Sequence, residues 1–204
     1  MLQKFIIESN EFLDKNIQAF YSTDYKLMGN TGNPDYLNKL KNTFDSFPQH
    51  VLNTAVQDLK NILLKDLKEL NQNINLTVCV VPRAKSEDTY TSTQLLFKST
   101  VREVINDLNF NDGTNYIIRK HDTKTTHLKS RIKRYDDSIF KNDGDEPYEG
   151  ITVDTCIISS QVEGKNILLI DDVYTNEVNI DEDAIQALLD NGADSVIFYA
   201  VAKV

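Results

Sequence analysis

The chain has 204 residues, is 40% hydrophobic and 26% charged, and carries a formal net charge of −9 at pH 7. Those values are ordinary for a soluble globular protein with one sizeable core, or one domain with an appendage. They argue against a general nucleic-acid binder, which needs a net basic face, and no stretch reaches the ~18 apolar residues of a membrane span.

The opening stretch MLQKFIIESNEF has neither a basic leader nor an apolar run of signal-peptide length, so a cytoplasmic location is expected. Within the first 35 residues, FYSTDYKLMGNTGNP reads as a short strand followed by a Gly/Asn/Pro loop. From Asp35 the pattern turns helical, with Leu37, Leu40 and Phe44 on one face. Pro48 interrupts it, and Leu52, Val56, Leu59, Leu63, Leu67 and Leu70 form a second stripe spaced for packing against a core.

At residue 76 the pattern changes. LTVCVVP is a continuous apolar run ended by proline, as expected of a parallel strand buried on both faces. TQLLFKSTVREVINDL (93–108) predicts an amphipathic helix and NYIIRK (115–120) a short strand, followed by a long polar stretch without periodicity. Strands at ITVDTCIIS (151–159), GKNILLIDDV (164–173) and SVIFYAVAKV (195–204), with a helix over about 180–191, complete the pattern. Alternating strands and helices imply right-handed βαβ crossovers and a mostly parallel sheet. The division expected is a mostly helical N-terminal subdomain, 1–75, and an α/β core, 76–204. Any cover over a ligand would come from the first part or from the long middle loop.

Cys79 and Cys156 each lie in an apolar, strand-like run and read as buried reduced thiols rather than a disulfide or metal site. His50, His121 and His127 are scattered without zinc spacing. Charge is uneven: Arg119 to Arg134 holds seven Lys or Arg residues against one Asp. Such a segment is either solvated surface or a cationic lid.

The most informative stretch is ILLIDDVYTNEVNIDED (167–183), an apolar strand running into the carboxylates Asp171 and Asp172. Ligands of open α/β sheets bind beyond the carboxyl ends of strands. Two acids there can hold a metal, act as acid and base, accept hydrogen bonds from a vicinal diol, or simply be solvated.

Residues 167–204 resemble the segment of type I phosphoribosyltransferases that binds phosphoribosyl diphosphate (PRPP). That pattern is an apolar strand, two acids, a two-residue spacer, Thr-Thr-Gly-x-Thr and a helix. Ile167–Ile170, Asp171-Asp172, Val173-Tyr174 and Thr175 match it, whereas Asn176-Glu177-Val178-Asn179 stands where the family has Thr-Gly-x-Thr. Glycine there lets amides approach a phosphate. Glu177 adds a like charge, worth on the order of 4 kcal/mol unscreened at ~4 Å. Asn179 is placed as an N-cap, and Asp181, Glu182 and Asp183 suit the first turn of the helix that follows.

Upstream, VVPRAK is similar to the family's first strand and diphosphate loop, with Arg83 and Lys85 in reach of diphosphate. IIRKHDTKTTHLKSRIKRYDDSIF is similar to the ComF-type branch: Arg119, Thr123 or Thr125, Leu128, Arg131 or Arg134, and Phe140 are the counterparts, with His127 where a Gln stands. The resemblance covers roughly residues 76–204.

The resemblance implies a mainly parallel, five-stranded α/β sheet flanked by helices and a PRPP-dependent transferase acting on a nucleobase or related nitrogen nucleophile. Asp171 and Asp172 would hold the ribose hydroxyls, and Lys124 and His127, with Arg131, would close over the leaving diphosphate. Arg83 and Lys85 would bind diphosphate, Arg119 would be a further substrate-binding residue, and Thr175, Asn176, Glu177, Val178 and Asn179 would form the 5′-phosphate loop. Mg²⁺ would enter chiefly on PRPP, with no protein metal site assigned. The partners implied are PRPP and a small-molecule acceptor or nucleotide, with a homodimer compatible and neither membrane nor nucleic acid. Glu177 points to a second reading, a non-catalytic nucleotide or PRPP sensor; DNA handling follows only from the ComF analogy.

Overall fold

The computed structural model describes residues 2–26, 29–41, 46–70, 75–123, 150–176 and 178–204. Its framework is β1 (Gln3–Ile7), β2 (Ile17–Asp24), α1 (Tyr36–Leu40), α2 (Gln49–Leu70), β3 (Leu76–Val80), α3 (Leu96–Asp107), β4 (Asn111–Asp112), β5 (Ile117–Arg119), β6 (Cys156–Ile158), β7 (Asn166–Tyr174), α4 (Ile180–Asp190) and β8 (Ser195–Lys203). Among the described residues, six strands form a sheet in the order β1-β2-β8-β7-β3-β4. β2, β8, β7, β3 and β4 are parallel to their neighbours, and β1 closes one edge antiparallel to β2.

The central strands are apolar throughout because helices or loops cover both faces. Leu168 and Ile170 of β7 face one way, with Val78, Tyr199, Leu59, Leu63 and Leu67 of α2, and Val101 and Val104 of α3. Ile167 and Leu169 face the other way, with Phe198, Ile185 and Leu188 of α4, and Ile7 and Leu13. Pro48 precedes α2, where its carbonyl accepts from Val51 and Leu52 N–H and its missing N–H costs nothing.

The protein is a mixed α/β fold with a mostly parallel sheet, but the sheet is assembled differently from the sequence expectation. It is not built from five strands of residues 76–204. β1 and β2 come from the N-terminal part, which is therefore not mostly helical, and β2 pairs with β8 in one continuous sheet. The expected strands around 115–120 and 151–159 pair instead with each other, antiparallel, as a separate two-stranded sheet, with Ile117 opposite Ile158.

A local turn explains the departure. Asp112 Oδ1 accepts from both the Thr114 N–H (2.9 Å) and its hydroxyl (2.7 Å). This Asx turn ends pairing with β3 after Asn111–Asp112 and lifts the chain out of the sheet. Cys79 and Cys156 are buried free thiols, as expected, and burial pushes the Cys79 thiol up to about 12. Among the described residues, no helix is long and apolar enough to cross a membrane.

Candidate functional site

The site forms where two neighbouring strands end at different heights. β3 pairs with β7 only as far as Val80–Ile170, and the Val81 N–H makes a last bond to the Ile170 carbonyl (3.0 Å) before Pro82. β7 continues to Tyr174, so Asp171 and Asp172 lie within the strand rather than beyond its end. Its ladder with β8 runs through Asp171–Ala200 and resumes at Val173–Ala202, skipping Asp172. The acids are thus fixed by one neighbour strand and uncovered by the other. They remain nearly buried, at 5% and 6% exposure.

The positive group that such a pair requires comes from 130 residues upstream. Lys41 Nζ lies 2.9 Å from Asp171 Oδ1 and 2.7 Å from Asp172 Oδ1. It also lies 5.2 Å from the centre of the Phe97 ring. Lys41 directly follows α1, whose Leu37 and Leu40 are buried in the core, so the lysine backbone is well anchored. Burial alone would lower the lysine's pKa, but Asp171 and Asp172 reverse that and hold it above the ordinary value. Burial pushes Asp171 up to about 7, with Asp172 reinforcing the rise and Lys41 opposing it.

Two further acids crowd the same region. Asp181 and Glu182, in the first turn of α4, are each only 2% exposed. Glu182 Oε1 accepts from the Tyr174 hydroxyl (2.8 Å), while Asp181 Oδ1 and Glu182 Oε2 are buried without a hydrogen-bond partner. Burial, then the Asp171 charge, drives the Asp181 carboxyl well above its ordinary range. Asp171, Asp172 and Asp181 are three buried carboxylates about one ammonium and cannot all be ionised, so the cluster retains protons near neutral pH. The first-turn acids therefore serve more than the helix dipole.

The loop after β3 forms the adjacent wall. Arg83 donates to the Gln94 carbonyl and to the Lys41 carbonyl (2.7 Å), and its guanidinium lies 4.1 Å from the Tyr90 ring centre. Lys85 Nζ donates to the Thr123 carbonyl (2.8 Å), and Thr123 returns its N–H and hydroxyl to the Ala84 carbonyl (2.7 and 3.1 Å). Between Arg83, Lys41 and Phe97, with Val80, Val81 and Gln94, lies a cavity of about 20 Å³. That is room for roughly one water molecule.

No protein-family model and no curated protein matches this chain.

Several residues expected at the site take other positions or duties. Arg119 is 1% exposed and acts as an internal strut: its Nε donates to the Arg83 carbonyl (3.2 Å) and its Nη1 to the Gly150 carbonyl (2.7 Å). Thr175 accepts at its carbonyl from the Val178 N–H (3.2 Å), and Asn176 is exposed. Asn179 occupies the N-cap position of α4 but does not cap with its side chain. It sits at φ 55°, and its Oδ1 accepts from Asn10 Nδ2 at 3.3 Å. Asp183 accepts from the Ile151 N–H, yet burial still pushes its carboxyl up to about 6. Lys124, His127, Arg131 and Glu177 lie outside the described residues, as do Thr125, Leu128, Arg134 and Phe140.

The acid pair and the Arg83–Lys85 loop are thus neighbours, joined through Lys41. Sequence reading missed Lys41, Tyr90 and Gly150. For Lys41 only an indirect signal existed, since two adjacent acids on an apolar strand demand a cation from elsewhere. Among the described residues, no group of three or more His, Cys, Asp or Glu side chains is arranged to hold a metal ion.

Proposed function

We propose that this protein is a cytoplasmic, PRPP-dependent phosphoribosyltransferase that transfers the ribosyl group to a nucleobase or related nitrogen nucleophile and releases diphosphate. The observation that supports this most is the acid pair on β7, left uncovered where β3 ends and faced by the loop carrying Arg83 and Lys85. Paired carboxylates suit a vicinal diol, each charge-assisted hydrogen bond being worth roughly 1.5–3 kcal/mol. Arg83 and Lys85 supply positive charge for a diphosphate. Mg²⁺ would accompany the diphosphate, because the two acids are already held by Lys41.

In this reading the C1–diphosphate bond breaks through an oxocarbenium-like transition state, and the acceptor nitrogen forms the new bond. Asp171 and Asp172 orient the ribose, while Lys124, His127 and Arg131 are assigned to the leaving group from the sequence resemblance. No covalent nucleophile is required. Calorimetric titration with Mg·PRPP, followed by a diphosphate-release assay across a panel of nucleobases, tests the proposal. A folded protein that binds neither PRPP nor a nucleoside monophosphate refutes it.

A second reading, a non-catalytic nucleotide or PRPP sensor, is favoured by one observation: Lys41 already occupies one oxygen of each acid. Glu177→Gly separates the two. A working transferase should change its PRPP affinity by less than tenfold, whereas a gain of tenfold or more favours the sensor.

A further inference from the structure

Lys41 is the one strong feature of the site that no motif anticipates. Its ammonium has three donors, and one reaches each carboxylate at Oδ1. Its backbone is pinned twice, by the buried Leu37 and Leu40 on one side and by Arg83 on its carbonyl. The side chain is held at its tip by the two carboxylates and lies beside the Phe97 ring, with 17% of it exposed.

We propose that Lys41 is a positioning residue that sets the charge and orientation of the Asp171–Asp172 pair, and that a ligand's vicinal diol binds by replacing it. Each hydroxyl of a diol offers one donor, so two hydroxyls can take over the two oxygens that the ammonium holds. A site without Lys41 would leave both carboxylates facing each other and the α4 acids with no local ammonium. Such a pair would take up a proton, become a poorer acceptor for a diol, and lose its fixed geometry. Lys41 thus holds the pair charged and oriented until a diol displaces it.

The charged surroundings are specific. Arg83 approaches from the β3 loop and interacts electrostatically with Asp172. Asp181 and Glu182 approach from α4, with Tyr174 bonded to Glu182. Lys98 and Glu87 line the cavity beside Lys41 and are paired with each other. Arg83 sits on carbonyl groups and the Tyr90 ring, so Lys41 is the group placed to govern the acids directly. Burial, with Lys41 opposing and Asp172 adding to the rise, already holds the Asp171 carboxyl above its ordinary range, which makes its protonation a sensitive reporter of the lysine.

The test has two arms. In the first, which needs no ligand, carboxyl protonation is followed by infrared or carbon NMR titration in wild type, Lys41→Arg and Lys41→Met, with Asp171→Asn to assign the signal. The Asp171 midpoint should rise by about one pH unit or more in Lys41→Met, a tenfold change in proton affinity, and stay near wild type in Lys41→Arg. An unmoved midpoint in Lys41→Met overturns the proposal. If Lys41→Met is folded at about pH 5.5 but not at about pH 8, that is the expected effect expressed through stability; equal unfolding at both overturns it.

The second arm measures AMP and Mg·PRPP affinity against pH. It rests on the ribose-site reading. The pH at which affinity levels off should move upward with the carboxyl midpoint in Lys41→Met and be restored in Lys41→Arg. Failure of wild type to bind either ligand would count against the transferase reading alone, because the first arm still decides the role of Lys41.

Discussion

Gly150 offers a sharp test of how the site is braced. Its φ is +63°, and a methyl group built on it would overlap Asp183 Oδ2, with Asp183 Cγ at 3.0 Å. Its carbonyl accepts from Arg119 Nη1 (2.7 Å) and from the Thr155 hydroxyl (2.9 Å). Gly150→Ala therefore carries two costs. The left-handed backbone costs an L-residue about 1–2 kcal/mol. Displacing Asp183 breaks its bond from the Ile151 N–H, worth roughly 1.5–3 kcal/mol for a charged acceptor.

The sum is about 2.5–5 kcal/mol, or a fall of about 5–20 °C in melting temperature for a chain of this size. Gly164→Ala is the control: φ is +67°, but no atom lies within 4 Å of the added methyl, so only the backbone cost of about 1–2 kcal/mol applies. Urea unfolding of both variants, with Asp183→Ala alone and combined with Gly150→Ala, separates the two contributions. The combined variant should be more stable than additivity predicts, because removing the carboxylate relieves the overlap. A Gly150→Ala cost no larger than that of Gly164→Ala, or strict additivity with Asp183→Ala, would refute the reasoning.

Three other outcomes follow from the same geometry. Asp171→Asn with Asp172→Asn should destabilise the fold by about 3–5 kcal/mol by stranding the largely buried Lys41. Adding Lys41→Met should recover most of that in urea unfolding, and a triple variant no more stable than the double would contradict the ion-pair assignment. Wild-type stability should fall as pH rises from about 5.5 to 8. Asp171 at about 7 folded stands above its ordinary 3.8, so its contribution is complete below pH 4 and lost as pH passes 7; Asp183, at about 6, acts in the same direction. Asp171 alone should lower stability by about 2 kcal/mol over that range. Asp171→Asn should flatten the urea-midpoint profile, and an unchanged slope would exclude Asp171 as its source. Finally, Tyr199→Phe removes the donor to the fully buried Asp66 Oδ2 (3.0 Å), whose other oxygen already lacks a hydrogen-bond partner. A loss of about 1–3 kcal/mol is expected by calorimetry, and no loss would show that Asp66 is satisfied without it.

Features whose signal is local and periodic were legible in the amino-acid order alone. The apolar runs at 76–80 and 167–170 became the buried strands β3 and β7, and the leucine stripe 59-63-67 became the core face of α2. The acid pair was legible for the same reason, since a charge at the end of an apolar run breaks a strong pattern. The tertiary structure decided everything that depends on which distant segments meet. β1 and β2 join the sheet because β8 offers β2 an open edge, a preference no short N-terminal segment advertises. β5 and β6 leave it because the Asx turn at Asp112 redirects the chain, so two strand-like runs pair with each other. Arg119 looked like a ligand cation from its place in a basic segment, but burial left it two carbonyls to hold and made it a strut. Lys41 was one lysine among many in the chain; folding singled it out because two carboxylates buried by β7 and β8 require a nearby cation, and α1 places one within 2.9 Å.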